Sequence, residues 1–221
     1  MKEKILLSWS GGKDGCMALY EIQRSQSYEI ILITTVTEGY DRISMHGVRR
    51  ILLERQAESL ELGLTKIYIP QNATNEDYEL RMKEAIAKHQ KEGVSSVAFG
   101  DIFLEDLRKY REENLLRIGM RGMFPIWRRD TSELIRRFID SGFKAIVTCV
   151  DPKVLNPSFA GRVIDDDFIN QLPAQVDPCG ENGEFHSFVF DGPIFRKEIK
   201  FSVGEVVLRD SFYFCDLLPD E

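Results

Sequence analysis

The chain has few of the residues that build metal and redox sites. Its 221 residues include 4 cysteines and 3 histidines. Cys16, Cys149, Cys179 and Cys215 are widely separated, with no C-x-x-C pair. That spacing argues against a disulfide framework or a zinc site and predicts reduced thiols in a cytoplasmic protein. His46, His89 and His186 are too far apart in the chain to suggest a histidine cluster. Basic charge is not in excess either: 29 Lys and Arg stand against 36 Asp and Glu, for a net charge of −7. This argues against broad nucleic-acid binding. No apolar run reaches the length of a membrane span, and Met1-Lys2-Glu3-Lys4 leads directly into a short strand rather than a signal peptide. Repeats, low-complexity stretches and linker-like segments are missing as well. The hydrophobic share of 43% is that of an ordinary soluble protein, long enough for one large domain or two small ones.

What is there begins near the N-terminus. The apolar run Ile5-Leu6-Leu7-Ser8-Trp9 reads as a buried strand, and Cys16, Leu19 and Tyr20 fall at helical spacing. Between them stands Ser10-Gly11-Gly12-Lys13-Asp14-Gly15. A glycine-rich turn from strand to helix is a phosphate cradle: its backbone can approach an anion, and the helix start offers unpaired N–H groups and a positive dipole end. Lys13 adds a positive charge, and Asp14 an oxygen ligand for Mg²⁺. The spacing excludes a Walker A loop, because Leu7 and Asp14 stand where glycine and Ser or Thr are needed. Gly11, Gly12 and Gly15 do not give the dinucleotide fingerprint G-x-G-x-x-G. The run does resemble the S-G-G-K-D-S loop of the ATP pyrophosphatases, or PP-loop enzymes. Those cleave ATP between the α- and β-phosphates and adenylate an acyl or carbonyl oxygen. Gly15 departs from that pattern, which has Ser, so one hydroxyl contact to phosphate is missing.

Beyond the loop, strand and helix alternate. Glu29 to Val36, Lys66 to Ile69 and Val94 to Phe99 read as buried strands. The helices between them carry Leu53, Ala57 and Leu60 (ending at Gly63), then Tyr78, Met82, Ala85, Ile86 and His89 (ending at Gly93), then Leu104 to Ile118. Such alternation implies a parallel sheet covered on both faces. His89, on an apolar stripe, reads as a packed core or boundary histidine rather than a functional one. A further unit has Met123 to Trp127 as a strand, a helix capped by Asp130, and a strand from Phe143 to Val150. Past Asp151 come Pro-containing loops, a short acidic helix around Asp165 to Leu172, and alternating strands. The boundary between two tightly packed parts is expected near residue 125, giving 1–125 and 126–221.

A second run, Cys179-Gly180-Glu181-Asn182-Gly183-Glu184-Phe185-His186, puts two carboxylates three apart in a Gly-rich turn entering a strand. Taken in order with the opening loop, Met45-His46-Gly47 and Pro125-Ile126-Trp127-Arg128-Arg129-Asp130, it resembles the diphthine–ammonia ligase family over nearly the full length. That resemblance implies a Rossmann-like (HUP-type) α/β fold, parallel sheet order 3-2-1-4-5, followed by a smaller α+β domain. Ligands of open sheets bind where the strand order reverses, so Gly100 and Asp101 should face Ser10 to Gly15, with adenine along Thr34 to Val36, Thr35 among its contacts.

The implied chemistry is ATP- and Mg²⁺-dependent ligation. A substrate carboxylate, small or protein-borne, is adenylated with loss of pyrophosphate, and ammonia displaces AMP. Lys13 and Asp14 would act at the phosphates, with Asp14 on the metal. Glu181 and Glu184, with Gly180 and Gly183, would bind a cationic substrate or ammonium, or take a proton from the amine. His46 is a candidate for contacting phosphate or orienting a carboxylate, with helix capping as the alternative. Arg111, within an apolar stripe, either holds its head in water or contacts phosphate or substrate. The acceptor would be elongation-factor diphthine in an archaeal or eukaryotic protein. Glu105 to Glu112 departs from the Y-Q-R-x-R run of diphthamide-making relatives, which leaves a different acceptor open. Two other readings remain: a PP-loop tRNA-thiolation enzyme using Cys149 and Cys179, and an ATP-binding sensor without turnover.

Overall fold

The computed structural model describes residues 2–43 and 46–220. Its first half alternates β1 (Glu3–Ser8), α1 (Lys13–Arg24), β2 (Tyr28–Thr37), β3 (Arg42–Ile43), α2 (Arg50–Leu60), β4 (Gly63–Ile69), α3 (Asn75–Lys91), β5 (Val94–Ala98), α4 (Glu105–Leu116) and β6 (Arg121–Met123). The parallel strands lie in the order β4-β2-β1-β5-β6. With the short β3 left out of the count, this is the expected 3-2-1-4-5. β1 is central because Ile5, Leu6 and Leu7 are each fully buried. Alternate residues point to opposite faces. Ile5 and Leu7 enter the core shared with α1 and α2, and Leu6 enters a separate core with Ile86 and Leu115.

β3 has no counterpart in the sequence reading. β1 occupies one edge of β2 as far as Ile33, and β4 occupies the other edge from Ile31 to Thr37. β3 pairs antiparallel with Val36 and Thr37, so it takes the edge that β1 has vacated. The chain leaving β3 is thereby set above the end of β1. Met45 lies outside the described residues.

The second half comprises α5 (Thr131–Asp140), β7 (Lys144–Val150), α6 (Asp166–Gln171), β8 (Phe185–Asp191), β9 (Phe201–Arg209) and β10 (Phe212–Pro219). Its strands form an antiparallel sheet in the order β8-β7-β10-β9. One core joins the halves, with Leu7, Trp9 and Cys16 in the same cluster as Phe138, Val147 and Phe188. Among the described residues, no helix is long and apolar enough to cross a membrane.

Two local expectations fail. β6 stops at Met123, and Phe124 to Trp127 form a turn rather than a strand. Pro125 has no N–H for a ladder, and Arg128 then takes a left-handed conformation with φ 56°. α2 ends on Glu61, itself left-handed at φ 56°, while Gly63 already opens β4. The Asp130 cap is as expected: its carboxylate accepts from Glu133 N–H at 2.9 Å.

Candidate active site

The glycine-rich loop links β1 to α1, with Gly12 capping the helix through backbone alone. Gly11 sits at φ +78°, and a Cβ there would come within 2.6 Å of Gln56 Oε1. Gln56, on α2, is fully buried and accepts from Trp9 Nε1 at 3.0 Å. Its Nε2 donates to the carbonyls of Gly11 (3.0 Å) and Val189 (2.6 Å). Val189 N–H donates to Gly11 O at 2.9 Å. The loop is therefore tied to β8 of the second sheet, and Gly11 faces that junction rather than the cavity. A weak sequence signal for Gln56 existed, since it falls on the stripe of Leu53, Ala57 and Leu60.

Gly100 follows β5. A Cβ at Gly100 would lie 2.8 Å from the Asp14 carbonyl carbon and 2.9 Å from Gly15 N. All of these are backbone atoms, so only glycine lets β5 approach the first turn of α1 this closely.

A cavity of about 460 Å³ opens over these elements. Ser10, Gly12, Lys13, Asp14 and Gly15 line it from the loop, and Thr35 from the end of β2. Gly100, Asp101 and Arg111 line the β5–α4 side, and Gly180, Glu181 and Gly183 the turn before β8. Of the candidate residues, Gly11 and Glu184 are not on its wall.

Lys13 is 3% exposed, with Nζ 2.8 Å from Asp14 Oδ2 and 5.2 Å from the Phe185 ring centroid. Burial alone would lower its pKa, but the Asp14 carboxylate beside it leads the interactions that more than offset this and hold it above the usual lysine value. Burial pushes the Asp14 carboxyl up, against the pull of Lys13. Asp101 is likewise raised by burial, against the pull of Arg111. The Arg111 guanidinium does not simply sit in water. It lies 4.3 Å over the Phe99 ring, with Nε 2.7 Å from Asp101 Oδ2.

Glu181 spans the two halves: its Oε1 accepts from Ile102 N–H at 2.7 Å. The Ile102 carbonyl in turn accepts from Arg128 N–H at 2.7 Å, so the turn after β6 fixes the segment that holds Glu181. Burial, with Asp14 and Asp101 nearby, raises the Glu181 carboxyl to about 7. Glu184 is 5% exposed and turned away. Its Oε1 accepts from Asp177 N–H (3.1 Å) and Asn182 Nδ2 (3.0 Å), which pins the turn instead of reaching the cavity.

The separation of the histidines in sequence misled. His46 and His186 both line the cavity, with ring centroids 4.5 Å apart. β3 brings one and β8 the other, a meeting no local spacing encodes. Burial and the neighbouring His186 push His46 well below the usual value, and burial and Lys13 bring His186 to about 4. His89, on α3, is buried, with Nε2 2.9 Å from Thr65 Oγ1 of β4.

All four cysteines are free and buried. Cys179 Sγ donates to Thr131 O at 3.4 Å, and burial raises its pKa. Cys149 is pushed up to about 12, by burial first. Among the described residues, no group of three or more His, Cys, Asp or Glu side chains could hold a metal.

The family described as "Diphthamide synthase N-terminal domain" matches residues 1–122, and that described as "Diphthamide synthase C-terminal domain" matches 130–217. The diphthine–ammonia ligase of Mus musculus is 27% identical over 234 residues, covering 93% of this chain and 85% of that protein. The diphthine–ammonia ligase of Schizosaccharomyces pombe is 27% identical over 237 residues, 97% of this chain but 38% of that longer protein. Among solved structures, a predicted tRNA methyltransferase subunit from Methanocaldococcus jannaschii matches with TM-score 0.43 and 16% identity, over 66% of this chain and 80% of that one. A likeness that loose carries no functional argument.

Proposed function

The chain belongs to the diphthamide synthase family, and on that premise we propose that it is an ATP-dependent ligase that converts a substrate carboxylate to an amide with ammonia. The observation that carries the reading is the placement of Lys13: a buried ammonium, held protonated, at a phosphate loop facing Gly100 and Asp101. Residues 1–125 form the nucleotide-binding part and 126–221 the part that closes over the acceptor.

The substrate carboxylate attacks the α-phosphorus of ATP. The bond to the bridging oxygen breaks, pyrophosphate leaves, and an acyl-adenylate remains. Ammonia then attacks the acyl carbon and AMP departs. Lys13 and the N-terminus of α1 offset the phosphate charge, and they act strongly because the site is buried. Glu181, with a pKa near neutrality, takes the proton released as the amine adds. Asp14, on the cavity wall, is the loop residue that would hold Mg²⁺, through a carboxylate oxygen of the kind this ion takes. Bound there, the ion would neutralise phosphate charge.

The acceptor we assign is a protein-borne diphthine, as in the named relatives. Its trimethylammonium suits Glu181, the carboxylate on the cavity wall that is not ion-paired among the described residues, since Asp14 and Asp101 face Lys13 and Arg111. Thiolation is disfavoured because Cys149 and Cys179 are buried and protonated. The test is pyrophosphate and AMP release with ATP, Mg²⁺, ammonium and a diphthine-bearing elongation factor. Turnover that requires both ammonium and the acceptor supports the ligase. ATP binding without turnover under any condition supports the sensor instead.

A further inference from the structure

The residues that open α1, Lys13, Asp14, Gly15 and Cys16, include no hydroxyl. Ser10, on the strand side of the loop, holds its Oγ 3.4 Å from Gly12 N. The hydroxyl at the head of the helix comes from the other half of the molecule. Ser187, on β8, is 2% exposed, lines the cavity, and its Oγ accepts from Lys13 N–H at 3.2 Å. Its position is fixed by the strand that carries it. Val189 N–H donates to Gly11 O at 2.9 Å, and the Ser187 carbonyl would lie 3.1 Å from a Cβ placed on Gly12.

A serine hydroxyl has one proton to donate besides its capacity to accept. Among the described residues, Ser187 Oγ makes its one hydrogen bond as an acceptor from Lys13 N–H, and no protein acceptor takes its proton. The group is buried, rigidly held, and on the cavity wall beside the Lys13 ammonium. We infer that Ser187 is a phosphate-binding residue: with ATP in the cavity, its hydroxyl donates to a phosphate oxygen while still accepting from Lys13 N–H. The second sheet thus supplies a hydroxyl contact that the residues opening α1 lack. The two halves then have to be docked for the nucleotide site to be complete. This rests on the ATP-dependent reading above.

The test compares ligands with and without the phosphate chain. Binding of ATP, pyrophosphate and adenosine is measured by calorimetry on the full chain and on Ser187→Ala. A hydrogen bond to a charged group predicts that ATP and pyrophosphate bind about tenfold more weakly to the variant, with adenosine unchanged. If Ser187→Ala proves too unstable to measure, Ser187→Cys, close in size but a weak donor, carries the same comparison. Equal ATP affinity in variant and wild type overturns the inference and leaves the ligase standing. Parallel loss of ATP and adenosine also overturns it, because that marks a purely structural role. Wild-type protein that binds neither ATP nor pyrophosphate sinks the ligase reading and this inference together.

Discussion

His46 and His186 hold their rings 4.5 Å apart, tilted by 41°, on the wall of the cavity. Two buried imidazoles so close to each other and to Lys13 resist protonation. Both are neutral at physiological pH, so neither supplies a titration near 7. That falls to Glu181, raised to about 7 by burial. A carboxylate acting as base must be deprotonated, so kcat/KM is expected to rise with pH through about 7. Glu181→Gln should lose both this rising limb and most activity, while His186→Gln keeps the limb. A pH profile with the same inflection in Glu181→Gln would falsify the assignment.

Gln56 holds three groups at once: Trp9 Nε1, Gly11 O and Val189 O. Gln56→Leu leaves them without their partner in a fully buried place. Unsatisfied buried polar groups cost about 1–3 kcal/mol each, although relaxation and shared bonds keep the total well below a simple sum. Urea unfolding of Gln56→Leu should show a loss of about 3 kcal/mol or more. A loss under about 1 kcal/mol would mean that water replaces the side chain.

Arg111 and Asp101 act as a pair on the cavity wall. Removing Arg111 leaves Asp101, already raised by burial, without the cation that holds it ionised. Arg111→Ala should therefore weaken turnover, and Asp101→Asn should add little on top of it. In a double-mutant cycle the coupling is expected to be about 1 kcal/mol or more. Additive losses would show that the two residues serve separate ends.

Asp216 of β10 reaches β3 and the segment after it. It accepts from Arg42 at 2.8 Å and from Arg49 at 2.7 Å, and Arg42 also donates to Gly47 O at 2.7 Å. Burial would raise this carboxyl, but hydrogen bonds and charge from Arg49 and Arg42 hold it well below the usual range. A carboxyl depressed on folding adds stability above its unfolded pKa and loses it as pH falls through the folded one. The stability gap between wild type and Asp216→Ala should then be constant above about pH 5 and shrink below about pH 4. With partial exposure discounted, the gap is about 1–2 kcal/mol at neutral pH, read by urea unfolding at two pH values. A gap that widens in acid would refute the ion-pair account.

Legibility followed the range of the signal. Ile5 to Leu7 announced a buried strand by being apolar without a break, and Asp130 announced a helix start through Glu133 three residues on. The end of α2 was misread because Gly63 looked like a stop, whereas Glu61 accepts the left-handed conformation. The strand drawn through Phe124 to Trp127 overlooked what Pro125 costs a ladder. Glu181 and Glu184 looked equivalent on paper. One spans to Ile102 N–H and the other folds back onto Asp177 N–H, a difference set by which side of the turn faces the cavity.

The sequence by itself determined the strand, phosphate loop and helix and the alternation behind a parallel sheet, while the approach of Gly100 and Asp101 to that loop followed from the strand order that the family resemblance implies. These are matters of near-neighbour sterics, hydrophobic period and the rules of parallel crossovers. Only the tertiary structure decided that β3 fills the edge β1 leaves free, that β8 lies against the loop through Gln56 and Ser187, and that His46 meets His186. Such contacts arise from packing one sheet's core against another's. No residue carries a local mark of a partner that reaches it only when two halves of the chain dock.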